Sequence, residues 1–369
     1  MFHNNVDTAP LNKRGWAFQE RLLAPRTIHF THGEVYWQCS SLVATQCFPR
    51  GFNEDIENEN IRAWKKTLTE AADPYIKDQT WEDIISLYSS CSLTYAYDKL
   101  IALSGLAKQW GNIRGFQSSS YLAGHWRAHL PNTLCWTAWP GGPSLRPTLY
   151  RAPTWSWASI DGSIAPNVFC HPSPKVVTHA HVIAAQTTPA HDSLDELGLL
   201  KGGKIQLRGC MCLLETVIDC QRLQNAFNTQ NWIFLFQNEK DDENDENDEN
   251  DENDENDEND ENDDDNDDTD DDGGPFMELY WDERCKDLAC QVAEQELCVF
   301  RVLVTKRSSL WLVLRTTRDL EGQYCRVGLL EMSGTRLCDQ VTLASKSRSL
   351  EERYYLEIDE GGEYTIEIV

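Results

Sequence analysis

The sequence lacks most of what would send a chain into a membrane, out of the cell or onto a polyanion. Its longest apolar runs, such as Trp232–Phe236 and Leu310–Leu314, fall far short of the roughly 20 residues a membrane helix needs. The opening stretch, Met1–Pro10, is polar and has no apolar core of a secretory signal. Basic residues are few, 33 Lys and Arg against 60 Asp and Glu, for a formal net charge of −27. Of those acids, 23 lie between Asp241 and Asp272, and without them the charge is −4. The remaining near-neutral surface gives no reason to expect nucleic acid or an anionic membrane as partner.

Catalytic and metal signatures are missing too. There is no G-x-S-x-G elbow, no P-loop and no G-x-G-x-x-G after a strand. The 13 cysteines are scattered and odd in number, and no pair has C-x-x-C spacing. Reduced thiols in a cytoplasmic or nuclear protein follow, rather than a disulfide framework or a zinc knuckle. His125 and His129 are spaced to share one face of a predicted helix, but Trp126 stands where a zincin needs glutamate. His179 and His181 share a face of a possible strand, again without a third ligand. No metal and no cofactor are expected, and spacing alone nominates no catalytic centre.

What is present falls into zones. Residues 11–139 have mainly helical periodicity. A helix over Arg14–Leu23 should end at Pro25, and strands Thr27–Thr31 and Glu34–Cys39 alternate around His32-Gly33 as a hairpin. Ile61, Trp64, Leu68 and Ala71 fit one helical face. Trp81, Ile84, Ile85 and Tyr88 fit another, with Thr80 and Asp83 as a capping pair. Leu100, Leu103, Ala107 and Trp110 fit a third, capped by Asp98 and stopped by Gly111. A fourth helix is expected over Ser120–Leu130.

From Tyr150 onward the pattern is mainly β. Lys204–Met211, Trp232–Phe236, Phe276–Trp281, Leu297–Thr305, Leu310–Thr316 and Tyr324–Glu331 read as strands. Tyr354–Ile358 and Tyr364–Ile368 flank a Gly361-Gly362 turn. Leu310, Leu312 and Leu314 alternate with Trp311 and Val313, as in a central strand covered on both faces. The fold class is therefore α+β: a helical N-terminal half with a hairpin, then an antiparallel sandwich or partly closed barrel. Within it, Asp242–Asn262 repeats Asp-Glu-Asn seven times without one apolar residue. Residues 238–274 are expected to be a disordered acidic insertion between two strands. As a function, such a run could offer only histone or diffuse cation binding. Trp136, Trp139, Trp155 and Trp157 gather where the zones meet, and a buried seam is favoured over an aromatic platform for a ligand.

Two stretches carry a resemblance. Arg14-Gly15-Trp16-Ala17-Phe18-Gln19-Glu20-Arg21-Leu22-Leu23-Ala24-Pro25-Arg26, with the hairpin after it, is similar to the closing segment of the fungal heterokaryon incompatibility (HET) domain family. Tyr150-Arg151-Ala152-Pro153-Thr154-Trp155-Ser156-Trp157-Ala158-Ser159 resembles the Trp-Ser-Trp-Ala-Ser segment that follows downstream in such proteins. Tyr97–Leu106 fits the intervening helix.

The resemblance implies a role in non-self recognition and incompatibility cell death through a protein partner. It also implies a domain akin to TIR domains, some of which cleave NAD. Arg14, Gly15, Trp16, Gln19, Glu20, Arg26, Trp155 and Trp157 carry over, with Glu20 as a candidate catalytic carboxylate or, more simply, the partner of Arg14 or Arg26. The family's opening Ser-Tyr-x-Trp-Gly type segment has no counterpart here. Residues 1–40 are thus expected to be a C-terminal remnant of the HET domain, 41–149 a helical region and 150–369 a β-rich region. The truncated protein is expected to be non-enzymatic, or to need upstream sequence for any NAD hydrolysis. Trp16, Phe18, Leu22, Leu23, Ile28, Phe30 and Trp37 should then lack part of their cover, each wet side chain forfeiting about 1.5–3 kcal/mol.

Overall fold

A computed structural model describes residues 2–51, 59–69, 74–139, 144–166, 176–190, 197–217, 233–234, 277–282, 297–305, 308–317, 319–333 and 349–369. The acidic segment at 238–274 lies outside them, as does Ala71. Helix α1 runs from Gly15 to Leu23 and stops before Pro25. Strands β1 (Arg26–Phe30), β2 (Val35–Cys39) and β3 (Val43–Thr45) form an antiparallel sheet with Ile28 opposite Trp37 and Phe30 opposite Val35. Helices α2 (Glu59–Thr69), α3 (Pro74–Ser89) and α4 (Ile101–Arg114) follow. Ile61, Trp64 and Leu68 of α2, and Trp81, Ile84, Ile85 and Tyr88 of α3, are all buried as their spacing requires.

Several local expectations are corrected. Helix α3 begins at Pro74, a residue suited to a helix's first turn, so Thr80 lies inside it and cannot cap it. Helix α4 runs through Gly111 and ends at Gly115, whose φ of 70° is the left-handed stop. Gly111 is small for another reason: a Cβ there would lie 2.8 Å from the Trp126 ring. Asp98 does not cap α4 but sits in a short 3-10 turn, Ala96–Lys99, where it accepts from Trp16. The fourth helix does not form. Strands β4 (Tyr121–Leu122) and β5 (His125–Trp126) turn tightly at Ala123-Gly124, with φ of 50° and 97°, and a short 3-10 turn covers Arg127–His129. A further small pair joins β6 (Thr137–Ala138) to β7 (Ile164–Ala165). The N-terminal half is therefore mixed rather than helical.

Among the described residues, the C-terminal region forms one 11-stranded mixed sheet. Its strands are β8 (Val176–Thr178), β9 (His181–Pro189), β10 (Leu200–Gly209), β11 (Met211–Leu213), β12 (Ile233–Phe234), β13 (Met277–Trp281), β14 (Leu297–Thr305), β15 (Ser308–Thr316), β16 (Gln323–Ser333), β17 (Glu357–Ile358) and β18 (Tyr364–Ile368). All pairs are antiparallel except β16 with β18. β12 and β13, which flank the acidic segment, pair with Ile233 opposite Leu279. The chain thus leaves and re-enters the same sheet on either side of that segment. β15 lies between β14 and β16 as its alternation implied. Leu310, Leu312 and Leu314 enter the main core, while Trp311 and Val313 enter a second core with Met277, Leu279 and Val299. The main core is continuous from Phe18 and Leu22 through α2–α4 to Ile205, Leu207 and Phe300 of the sheet. Among the described residues, no helix is long and apolar enough to cross a membrane.

Candidate functional site

The first motif is a docking device. Helix α1 packs on α4. The Gln19 side-chain oxygen accepts from the amides of Gly105 at 2.6 Å and Leu106 at 3.3 Å. A Cβ on Gly105 would stand 2.7 Å from that oxygen, so glycine is what lets the amide side chain approach. Gly15 is equally constrained, because a Cβ would meet Leu93 Cδ2 at 2.6 Å while its own N–H donates to Ser92 O. The Trp16 indole donates to Asp98 Oδ2 at 3.1 Å. Arg21 was not among the motif residues singled out, yet unlike Arg14, Glu20 and Arg26 it is buried. It donates to Asp7 Oδ1 at 2.6 Å and to Gln38 Oε1 at 3.3 Å. Burial, with Arg21 next, pushes the neighbouring His29 down to about 4.

Arg14, Glu20 and Arg26 are exposed. Among the described residues Glu20 forms no ion pair with either arginine.

The second motif is not a strand. Trp155 and Ser156 lead into a 3-10 turn, Trp157–Ser159, with the Ser156 hydroxyl oxygen accepting from the Ala158 amide. Of the two buried indoles only Trp157 is anchored through its N–H, and Trp155 Nε1 meets no acceptor among the described residues. Trp157 donates to Gly124 O at 3.2 Å, and the Ser156 hydroxyl donates to Ala123 O at 2.6 Å. Gly124 permits this, since a Cβ would fall 2.4 Å from Trp157 Nε1. That closure of the β4–β5 turn on an indole explains why a segment of helical composition is not a helix. Trp136 donates to Trp155 O at 3.0 Å. Trp136, Trp155 and Trp157 are all buried, as a seam requires, whereas Trp139 is exposed.

Basic side chains stitch the seam. Arg151 donates to Ala158 O, to Ala96 O and to Asp161 Oδ1. Lys99 donates to Ile160 O at 2.6 Å and lies 5.5 Å from the centroid of the Trp157 ring. Arg326 stacks 3.4 Å from the centroid of Trp136 and donates to its carbonyl. Asp282 stands 3.3 Å from Arg326 and 3.2 Å from Arg146. Burial lowers Arg326 to about 10, with Asp282 opposing that shift. His125 hydrogen-bonds Thr133 Oγ1 at 3.1 Å, and burial, then Arg326 and His129, lowers it to about 3. His125 is in β5 and His129 ends the Arg127–His129 3-10 turn, so the two do not share an α-helical face. Among the described residues no three His, Cys, Asp or Glu gather to hold a metal.

Sequence reasoning missed Lys99, Asp282 and Arg326. The position of Arg326 directly before the apolar run Val327–Leu330 was the available signal for it. The arrangement can hold segments together and neutralise buried charge; it brings Glu20 to neither seam nor cleft.

The N-terminal apolar residues divide. Phe18 and Leu22 are buried, Trp37 is half-buried, and Trp16 and Leu23 are partly exposed. Ile28 is 52% and Phe30 82% exposed on the outer face of the hairpin, the face they share with Val35 and Trp37.

No family model, curated protein or solved structure matches the chain.

Proposed function

We propose that this chain is a heterokaryon-incompatibility-type protein that works in the cytoplasm by protein contact rather than turnover. Non-self recognition leading to cell death is the activity that fits. The observation that carries the reading is the hairpin's outer face. Its apolar pairs Ile28/Trp37 and Phe30/Val35 turn away from the core, while the opposite face buries Tyr36 and Gln38. An apolar sheet face held open in this way is what an interaction surface looks like. Gly15, Trp16 and Gln19, the most distinctive residues of the first motif, dock α1 on its neighbours and so position that face. The β-rich region, which we read as a partly closed barrel because β8 and β11 both return to β14, is the scaffold behind it. NAD hydrolysis through Glu20, which the family resemblance also allows, would need that carboxylate in a recess, and it lies exposed on α1.

Expression in a fungal host with growth arrest or cell death as readout tests this. Ile28→Ser with Phe30→Ser should abolish the response while leaving the folded protein level unchanged. Glu20→Gln should leave the response intact. The reverse pattern would replace the contact reading with an enzymatic one.

A further inference from the structure

Lys99 ends the 3-10 turn that precedes α4 and is buried in the joint between the two motifs. Among the described residues its ammonium has one hydrogen-bond acceptor, Ile160 O, and the Trp157 ring beside it. No carboxylate lies within ion-pair distance of it among the described residues. The charged and titratable groups around it are few. From the 150–162 segment come Arg151 and Asp161, but these pair with each other at 2.6 Å. From α3 comes Tyr88, whose hydroxyl donates to Lys99 O. On its own turn Asp98 is engaged by Trp16. A protonated Lys99 therefore puts a second buried cation next to Arg151 with no anion of its own, whereas a neutral amine keeps the bond to Ile160 O without that cost.

We propose that the joint between the Ala96–Lys99 turn and the Trp-Ser-Trp segment is a proton-operated latch, docked when Lys99 is neutral and loosened when it is protonated. The latch would release the very segment that holds the β4–β5 turn, through Trp157 on Gly124. It stands whether or not the hairpin face is an interaction surface.

The direction agrees with the group's titration. Burial, then Arg151, lowers Lys99 from the ordinary 10.5 to about 7, with Asp161 opposing. The opened state thus holds the proton more tightly, so docking strengthens as pH rises from about 7 and stops gaining near the ordinary lysine value.

Hydrogen exchange of the intact chain at residues 155–162, corrected for the intrinsic pH dependence of exchange, reads the opening. Protection should rise by up to about tenfold per pH unit between roughly pH 7.5 and 9.5. In Lys99→Met that slope should vanish. The same slope in both proteins would overturn the proposal. Should Lys99→Met fail to fold, the ¹³Cε resonance of Lys99 in the wild-type chain decides: titration near 7 supports the latch, and titration at the ordinary lysine value overturns it.

Discussion

Asp282→Ala should destabilise the protein by about 3–5 kcal/mol, the range for removing one partner of a buried ion pair. Asp282 and Arg326 are both fully buried. Without the carboxylate, Arg326 keeps the Trp136 carbonyl and ring, while its Nε and Nη1 have no acceptor among the described residues. The stacked indole offsets part of that loss, since a desolvated cation–π contact is worth about 2 kcal/mol. Adding Arg326→Met to Asp282→Ala removes the stranded charge and should recover much of the stability. Urea unfolding of the two variants measures this. A double variant as unstable as the single one would mean that the cost lies in packing and not in the unpaired cation.

Trp157→Ala should cost a similar amount, about 3–5 kcal/mol. The ring is buried against Gly124, Tyr88 and Lys99, and the indole N–H loses its bond to Gly124 O. A second substitution isolates the close approach. Gly124→Ala in the wild type meets both the left-handed φ of 97° and the indole at 2.4 Å, for roughly 2–5 kcal/mol from strain and overpacking together. In the Trp157→Ala background the ring is gone, and only the backbone strain of about 1–2 kcal/mol should remain. Additive costs in the double variant would show that Gly124 is required by its backbone alone.

The same contact shows where local sequence pattern stops being informative. Elements fixed by short-range chemistry were legible. Pro25 ends α1, His32-Gly33 turns the first hairpin, and the alternation Leu310–Leu314 marks a strand with a core on each side. Ser120–Leu130 was not legible, because Ala123 and Gly124 turn where they do to receive an indole 33 residues further on. Gly111 looked like a helix stop but is a notch for Trp126, while the true stop is Gly115, four residues later.

Motif residues behaved likewise. Gly15, Trp16 and Gln19 were singled out by the motif, yet what they touch, Leu93, Asp98 and Gly105, is something spacing could not place beside them. The buried basic residues Lys99 and Arg326 were not singled out at all. Their acceptors, Ile160 O and Trp136 O, lie 61 and 190 residues away in sequence.

Incubating the purified chain with NAD and following its loss tests the central claim most directly. A contact protein whose motif glutamate lies on an open helix face leaves NAD intact at every enzyme concentration, with or without Glu20→Gln. Steady NAD consumption that disappears in Glu20→Gln would contradict that account and make the exposed carboxylate part of a catalytic centre.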